Sequence, residues 1–446
     1  MTRDDRQDLV IERWKEAKCR ATLVAGTGFG KTRTALKAIR RVLSKNPTLQ
    51  VVVVVPTKIL KDQWSNELKN WNLKATVMIL NTASRKKFDC DFLILDEAHR
   101  ANAASMSKVF HNCRPALILG LTATYERLDG REKEVLDLYC PVCDTITLEE
   151  TVENGWTSPY ILYKVVLDVD TTSYIEANRE FMSHFAFFNF EFDTAMKAVC
   201  DILFRQKLAR HMGCEVSEVT SHAFGWKRAM QFRKNFIANH PKKIEIAKKI
   251  LQYRQNTKAI TFNASIKQCE SYKTGYVVHS KQKDKENKEI LKQFAELGPG
   301  NVLHNSKVAK EGYDCPGLGL VIVTGFNSDK LSLVQIIGRG IRFEQNKITE
   351  VFVITLKGTQ DQKWFHNASV GMDYIEIDEN DLNIILKNEG TAWGEEFIAG
   401  TAYSAASAWD YLRSVLEDGF TLEEINNEEF VTSLNNMISA AGMTKE

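Results

Sequence analysis

A short apolar run, Ala21-Thr22-Leu23-Val24, leads into Ala25-Gly26-Thr27-Gly28-Phe29-Gly30-Lys31-Thr32. After it, Thr32 to Val42 reads as a helix with Ala35, Ile39 and Val42 on one face. Strand, glycine-rich turn and helix in that order make a phosphate cradle. The glycines let backbone N–H groups converge on an anion, and the helix N-terminus adds the positive end of its dipole. In such a loop Thr27, Gly28, Phe29 and Gly30 wrap the phosphates and Lys31 reaches the β- and γ-phosphates of ATP. The Thr32 hydroxyl ligates Mg²⁺. The strict pattern asks for glycine where Ala25 stands.

A chain of 446 residues has room for more than one such unit. Its hydrophobic content of 44% and charged content of 26% are those of ordinary globular proteins. No apolar run approaches a membrane span, and Met1 to Asp5 opens no signal-peptide core, so no membrane partner is expected. Nine scattered cysteines fit a reducing cytoplasm better than a disulfide framework. The net charge of +2 is unevenly spread: from Asp373 onward 16 acids face 3 bases, −13, which leaves +15 on the preceding residues. A basic body suits a polyanion.

Further along, Val51 to Val55 reads as a strand buried on both faces, as parallel sheets require. Pro56, Thr57 and Lys58 follow it at a strand-to-helix junction that suits a nucleic-acid phosphate. Phe92-Leu93-Ile94-Leu95 ends directly in Asp96-Glu97. A carboxylate pair closing an apolar strand beside a phosphate loop divides the labour: Asp96 holds Mg²⁺ through water, and Glu97 orients and deprotonates the attacking water. Gln7, upstream of the loop, is placed to read both sides of an adenine edge through its amide. Residues Tyr160 to His240 carry six phenylalanines between Phe181 and Phe192, no proline and little glycine. They read as helices whose aromatics form a core rather than base-stacking platforms. Between Lys227 and Lys258 ten bases meet one acid, a candidate phosphate-facing stripe that includes Lys227 and Arg228. Cys140 and Cys143 supply two zinc ligands where about four are needed. Later strands, Lys258 to Phe262 with Asn263 at its end, Tyr276 to His279 and Leu320 to Thr324, announce a second α/β unit. In Gln335-Ile336-Ile337-Gly338-Arg339-Gly340-Ile341-Arg342, a three-residue spacing puts two guanidinium groups on one helix face, which suits a γ-phosphate across a cleft.

In this order the motifs resemble those of superfamily 2 helicases, particularly the XPB-like and phage branch-migration branches, over roughly residues 3 to 360. The resemblance implies two RecA-like parallel-sheet α/β domains with a mainly helical insertion and an acidic C-terminal extension. The expected boundaries are residues 1–158, 159–240, 241–372 and 373–446. It also implies ATP and Mg²⁺ between the domains, with Gly312, Asp314, Gln335, Arg339 and Arg342 completing the nucleotide site. His99, Thr122 and Thr124 resemble residues that couple nucleotide state to grip. Pro56, Thr57, Lys58, Asn263, Ser306 and Lys307 fall in motifs that hold the strand. DNA is the implied polymer, in single-stranded, forked or junction form. An RNA helicase, or an ATP-gated clamp that moves without unwinding, fits the same residues. No DNA-binding module is expected before the first motif.

Overall fold

The computed structural model describes residues 1–387 except 27, 99–102, 124–130, 307–314, 326–332, 334–335, 339–343, 345–346 and 371. The sequence's apolar runs become two all-parallel sheets. The first has six strands: β1 (Arg20–Ala25), β2 (Val51–Val55), β3 (Thr76–Ile79), β4 (Phe92–Leu95), β5 (Leu117–Thr122) and β6 (Val142–Ile146), in the order β3-β2-β4-β5-β1-β6. All five valines of β2 are buried, because helices cover both faces of a parallel sheet. The N-terminal helix Arg3–Glu16 is pinned to this sheet. Trp14 stacks on Phe92 and donates its indole N–H to the Ile118 carbonyl at 2.7 Å. Arg6 meets Asp144 at 2.6 Å and Glu150 at 2.8 Å.

The second sheet has seven strands: β7 (Tyr160–Leu167), β8 (Lys258–Phe262), β9 (Tyr276–His279), β10 (Val302–Ser306), β11 (Leu318–Val323), β12 (Thr349–Leu356) and β13 (Ile375–Ile377). Their order is β13-β7-β12-β11-β8-β10-β9, again parallel throughout. Two segments differ from expectation here. Residues 160–167, grouped with the helical insertion from sequence, form β7, which pairs along its full length with β12. Residues 375–387, grouped with the acidic extension, supply β13 and a helix (Glu379–Lys387) that packs Leu382, Ile385 and Leu386 into the second core. The rest of that extension lies outside the described residues.

Between β7 and β8 the chain makes a helical excursion: Thr172–Ala186, Phe192–Cys200, Ile202–Met212 and the long Val216–Asn239. It has a core of its own around Phe188, Ala198, Val219 and the fully buried Trp226. Gly225 is where the first and last of these helices touch. A β-carbon there would sit 2.3 Å from the His184 ring.

Deep in the second unit, Lys243 and Asp361 form an ion pair at 2.5 Å with 0% and 1% of their side chains exposed. The Lys243 ammonium also donates to the Thr324 carbonyl at 3.0 Å. Removing one partner of such a pair strands a charge in the core. Lys243→Ala should therefore cost about 3–5 kcal/mol of stability, while Lys243→Met with Asp361→Leu should cost far less. Urea unfolding of both variants checks this; equal losses would mean the site is sensitive to packing rather than charge.

Candidate active site

In an open parallel sheet the C-terminal strand ends form the crevice where ligands bind. Register puts three chemistry-bearing ends side by side: Val24 of β1 opposite Thr122 of β5, and Leu95 of β4 opposite Gly120 of β5. The glycine-rich loop, Asp96-Glu97 and Thr122 thus share one edge. Pro56, at the end of β2, lines a small recess with Asp96, Glu97 and Leu80.

The loop's geometry is that of an anion cradle. Gly28 and Gly30 have φ of 95° and 93°, in the left-handed region that favours glycine. Side chains would also collide there: a β-carbon on Gly28 would lie 2.2 Å from Thr157, and one on Gly30 2.7 Å from the Gln7 amide. The helix Lys31–Lys45 then starts with no side-chain cap and no acid in its first turn, so its backbone N–H groups remain for an anion. Lys31 donates to the Ala25 carbonyl at 2.9 Å, and Thr32 is half-buried in the same turn. Phe29, expected among the nucleotide contacts, turns its side chain into the core, 0% exposed and 5.8 Å from the Trp156 ring. Only its backbone can serve a phosphate.

Gln7 is 1% exposed, and its Nε2 donates to the Phe29 carbonyl at 3.0 Å. One of the two Nε2 hydrogens is thus committed to a backbone carbonyl, which leaves the other and Oε1 for an adenine edge. The Gln7 Oε1 is buried without a hydrogen-bond partner among the described residues. An orphaned acceptor beside a phosphate cradle fits the exocyclic amine of adenine, and so the residues fit ATP.

Asp96 is 8% exposed and accepts two hydrogen bonds, from the Trp64 indole at 2.7 Å and from the Glu97 backbone at 3.0 Å. Burial, with the Glu97 charge beside it, raises its pKa above the usual carboxylate range; Trp64 and the Lys31 ammonium pull the other way. A cation bound there would relieve both costs, which is the chemistry expected of a Mg²⁺ site. Glu97 follows with φ of 50°, a left-handed backbone that is uncommon for a residue with a side chain. Outliers of this kind gather where a side chain must be aimed.

Trp64 is the functional residue that sequence reasoning passed over. It sits in the helix Lys58–Asn70, 1% exposed, and reads as an ordinary core position until its N–H is seen on Asp96. A partner that orients a metal-holding carboxylate typically matters by about 10–100-fold. Trp64→Phe keeps the packing and loses the bond. It should raise the Mg²⁺ concentration for half-maximal turnover by that factor with little change in thermal midpoint, as a Mg²⁺ titration at saturating ATP would read. An unchanged titration would leave Trp64 as core alone.

The remaining expected residues divide three ways. Thr122 is fully buried at the β5 end. The Thr57 hydroxyl caps the helix Lys58–Asn70 by accepting from Leu60 at 3.3 Å, and Lys58 is exposed beside it. Lys227 and Arg228 are exposed on the long insertion helix. Asn263 is not brought to a surface: 6% exposed, it donates to Thr261 Oγ1 at 2.8 Å and accepts from Tyr272 and Thr324. A buried amide must satisfy its own donors and acceptors, which withdraws it from a strand. Ser306 is 3% exposed at the end of β10. Thr27, His99, Thr124, Lys307, Gly312, Asp314, Gln335, Arg339 and Arg342 lie outside the described residues. Cys140 is buried and Cys143 half-buried on the sheet edge, and no third metal ligand joins them among the described residues. No helix there is long and apolar enough to cross a membrane.

Two family descriptions match this framework. The model "Type III restriction enzyme, res subunit" matches residues 2–89 and 75–127, which carry the loop and Asp96-Glu97. The model "Helicase conserved C-terminal domain" matches residues 242–344 of the second sheet. The chain belongs to the superfamily 2 helicases. Among curated relatives, the "DNA 3'-5' translocase XPB2" of Sulfurisphaera tokodaii is 26% identical over 391 residues, covering 80% of this chain and 82% of its own. "Putative helicase 22" of Sulfolobus islandicus filamentous virus is 23% identical over 72% of this chain and 58% of its own. The solved structure "DEAD-box helicase Mss116 bound to ssRNA and UDP-BeF" shares the fold, with a TM-score of 0.53, 16% identity and coverage of 92% and 82%. As a superfamily 2 helicase the protein is a nucleic-acid-dependent ATP hydrolase with helicase or translocase activity.

Proposed function

We propose that this helicase is an ATP-driven DNA motor that works on forked and junction DNA, opening them or migrating the branch. The observation that carries the DNA reading is the likeness to a DNA translocase along four-fifths of both chains. Branched substrates are favoured by the insertion, whose 24-residue helix carries Lys227 and Arg228 in solvent outside both sheets.

In this reading the Gly28–Gly30 turn and the first turn of the Lys31 helix hold the phosphates, and Lys31 neutralises the β- and γ-oxygens. Gln7 Oε1 accepts from the adenine amine. Mg²⁺, held by Thr32 and Asp96, would supply charge neutralisation at the transferred phosphoryl group. Glu97 takes the proton of the attacking water. Arg339 and Arg342 approach from the second unit, so that ATP favours closure and its loss favours opening. Pro56, Thr57, Lys58 and Lys307 grip phosphates without reading sequence.

A specific likeness supports an RNA reading as well: "Putative ATP-dependent RNA helicase QP509L" of African swine fever virus is 34% identical over 137 residues, but spans only 25% of this chain. One panel separates the two. ATP turnover is measured with single-stranded, duplex, forked and four-way-junction DNA and with RNA, alongside strand displacement. Strongest stimulation and displacement by branched DNA is expected. RNA-only stimulation would replace the polymer, and turnover without displacement would leave a clamp that translocates without unwinding.

A further inference from the structure

The long insertion helix Val216–Asn239 has two unlike faces. Toward the helix Thr172–Ala186 it turns His222, Gly225, Trp226, Arg233 and Phe236. Their partners there are rings: Trp226 packs on Phe181 and Phe185, and Phe236 on Tyr174. Arg233, which sequence groups with the basic stripe, stacks its guanidinium 4.2 Å from the Phe181 centroid. It is packing, not surface charge.

The opposite face is largely exposed, with the Arg205 guanidinium 5.6 Å from the Phe224 ring centroid at one end of it. Helical spacing of four aligns Phe224, Arg228 and Phe232 along it, with Lys227, Gln231 and Lys234 beside them. Phe224 keeps 41% and Phe232 47% of its surface in solvent. Lys227, Arg228 and Lys234 make no ion pair among the described residues. Between Glu218 and Glu245 the sequence contains no acid at all. An aromatic, a cation and an aromatic in line, about 12 Å from first to last, are exposed together on a rigid support.

We infer that this face is a stacking platform for an unpaired nucleic-acid strand, Phe224 and Phe232 each receiving a base and Arg228 the phosphate between them. The inference rests on the motor reading above and adds what holds the separated strand. Charge decides the occupant. Lys227, Arg228 and Lys234, with no ion pair among the described residues and no acid on their own stretch of helix, would be costly to bury against an apolar protein surface, whereas they match a polyanion. Exposed rings cost hydration unless something flat covers them, and every base has such a face. It also revises the expectation that the insertion's aromatics are core alone, since Phe224 and Phe232 stand outside its core.

The test measures binding of fluorescein-labelled oligo-dT and oligo-rU to the full chain, and crosslinking to a fork with 5-iodouracil in its unpaired arm. Phe224→Ala with Phe232→Ala should lose at least about tenfold in strand affinity, with an unchanged salt slope and thermal midpoint. Phe→Leu at both positions should not restore it, and Phe→Trp should. Lys227→Gln with Arg228→Gln should flatten the slope of log affinity on log salt by about 1.4. Crosslinks should fall on Phe224 or Phe232. Unchanged affinity in the alanine pair, or full rescue by leucine, would overturn the platform while leaving nucleic-acid-stimulated turnover in place. Loss of self-association by the alanine pair without loss of strand affinity would make the face an interface between copies and overturn it too. A parent chain that neither binds these strands nor responds to them would overturn the motor reading itself.

Discussion

Glu97→Gln should bind ATP and nucleic acid normally yet turn over about 10²–10⁴-fold more slowly. That range is what a positioned general base contributes. The substitution is nearly isosteric, and the strained backbone at φ of 50° is set by the turn after β4, so the amide should occupy the carboxylate's place. It still accepts from a water but takes no proton. Lys31→Ala is the companion. It removes the ammonium proposed to reach the phosphates and should also abolish turnover, with looser ATP. Single-turnover hydrolysis under saturating ATP and oligonucleotide separates these losses from binding. Near-normal turnover in Glu97→Gln would remove it as the base.

An equal or larger loss is expected at the paired arginines of the second unit's sequence. Arg339→Ala and Arg342→Ala should each cut turnover by about 10³–10⁵-fold, the amount typical when a guanidinium acts on the transferring phosphoryl group. The motive is the Gln335-to-Arg342 pattern in the segment matched by the C-terminal helicase model. Lysine is a poor replacement, because one ammonium does not reproduce a planar fork. Titration with a non-hydrolysable analogue should show affinity reduced far less than rate. Collapse of affinity with unchanged saturated turnover would make both arginines binding contacts only.

The strands and their chemistry were legible because each rule involved is local. Phe92 to Leu95 is apolar for a strand's length and ends in two carboxylates, and the structure puts those carboxylates beside the loop. What escaped was set by distant partners. Tyr160 to Leu167 is itself an apolar, β-branched run of strand length, but its place in the second sheet is set by pairing with Thr349 to Leu356 and Ile375 to Ile377, far along the chain. Trp64 looks like any buried aromatic until tertiary packing brings its N–H to Asp96. Gln7 divides its amide because the Phe29 carbonyl needs a donor. Counting bases placed Arg233 with Lys227 and Arg228, but one turn of helical phase sends it inward.

The segment Trp156–Ser158 joins the two sheets, and it touches more than its neighbours in sequence. Trp156 lies on Phe29, Thr157 fills the space a side chain on Gly28 would need, and Ser158 exchanges hydrogen bonds with the Glu344 backbone at 2.9 and 3.2 Å. The floor of the phosphate cradle and the tether of the second unit are therefore one solid contact. Its consequence is synchrony. In the proposed motor, a loop drawn tight around a triphosphate would lean on this joint, so that occupancy and stride would keep common time. Slackening that joint would leave a competent hydrolase whose cycles no longer fall in step with its advance.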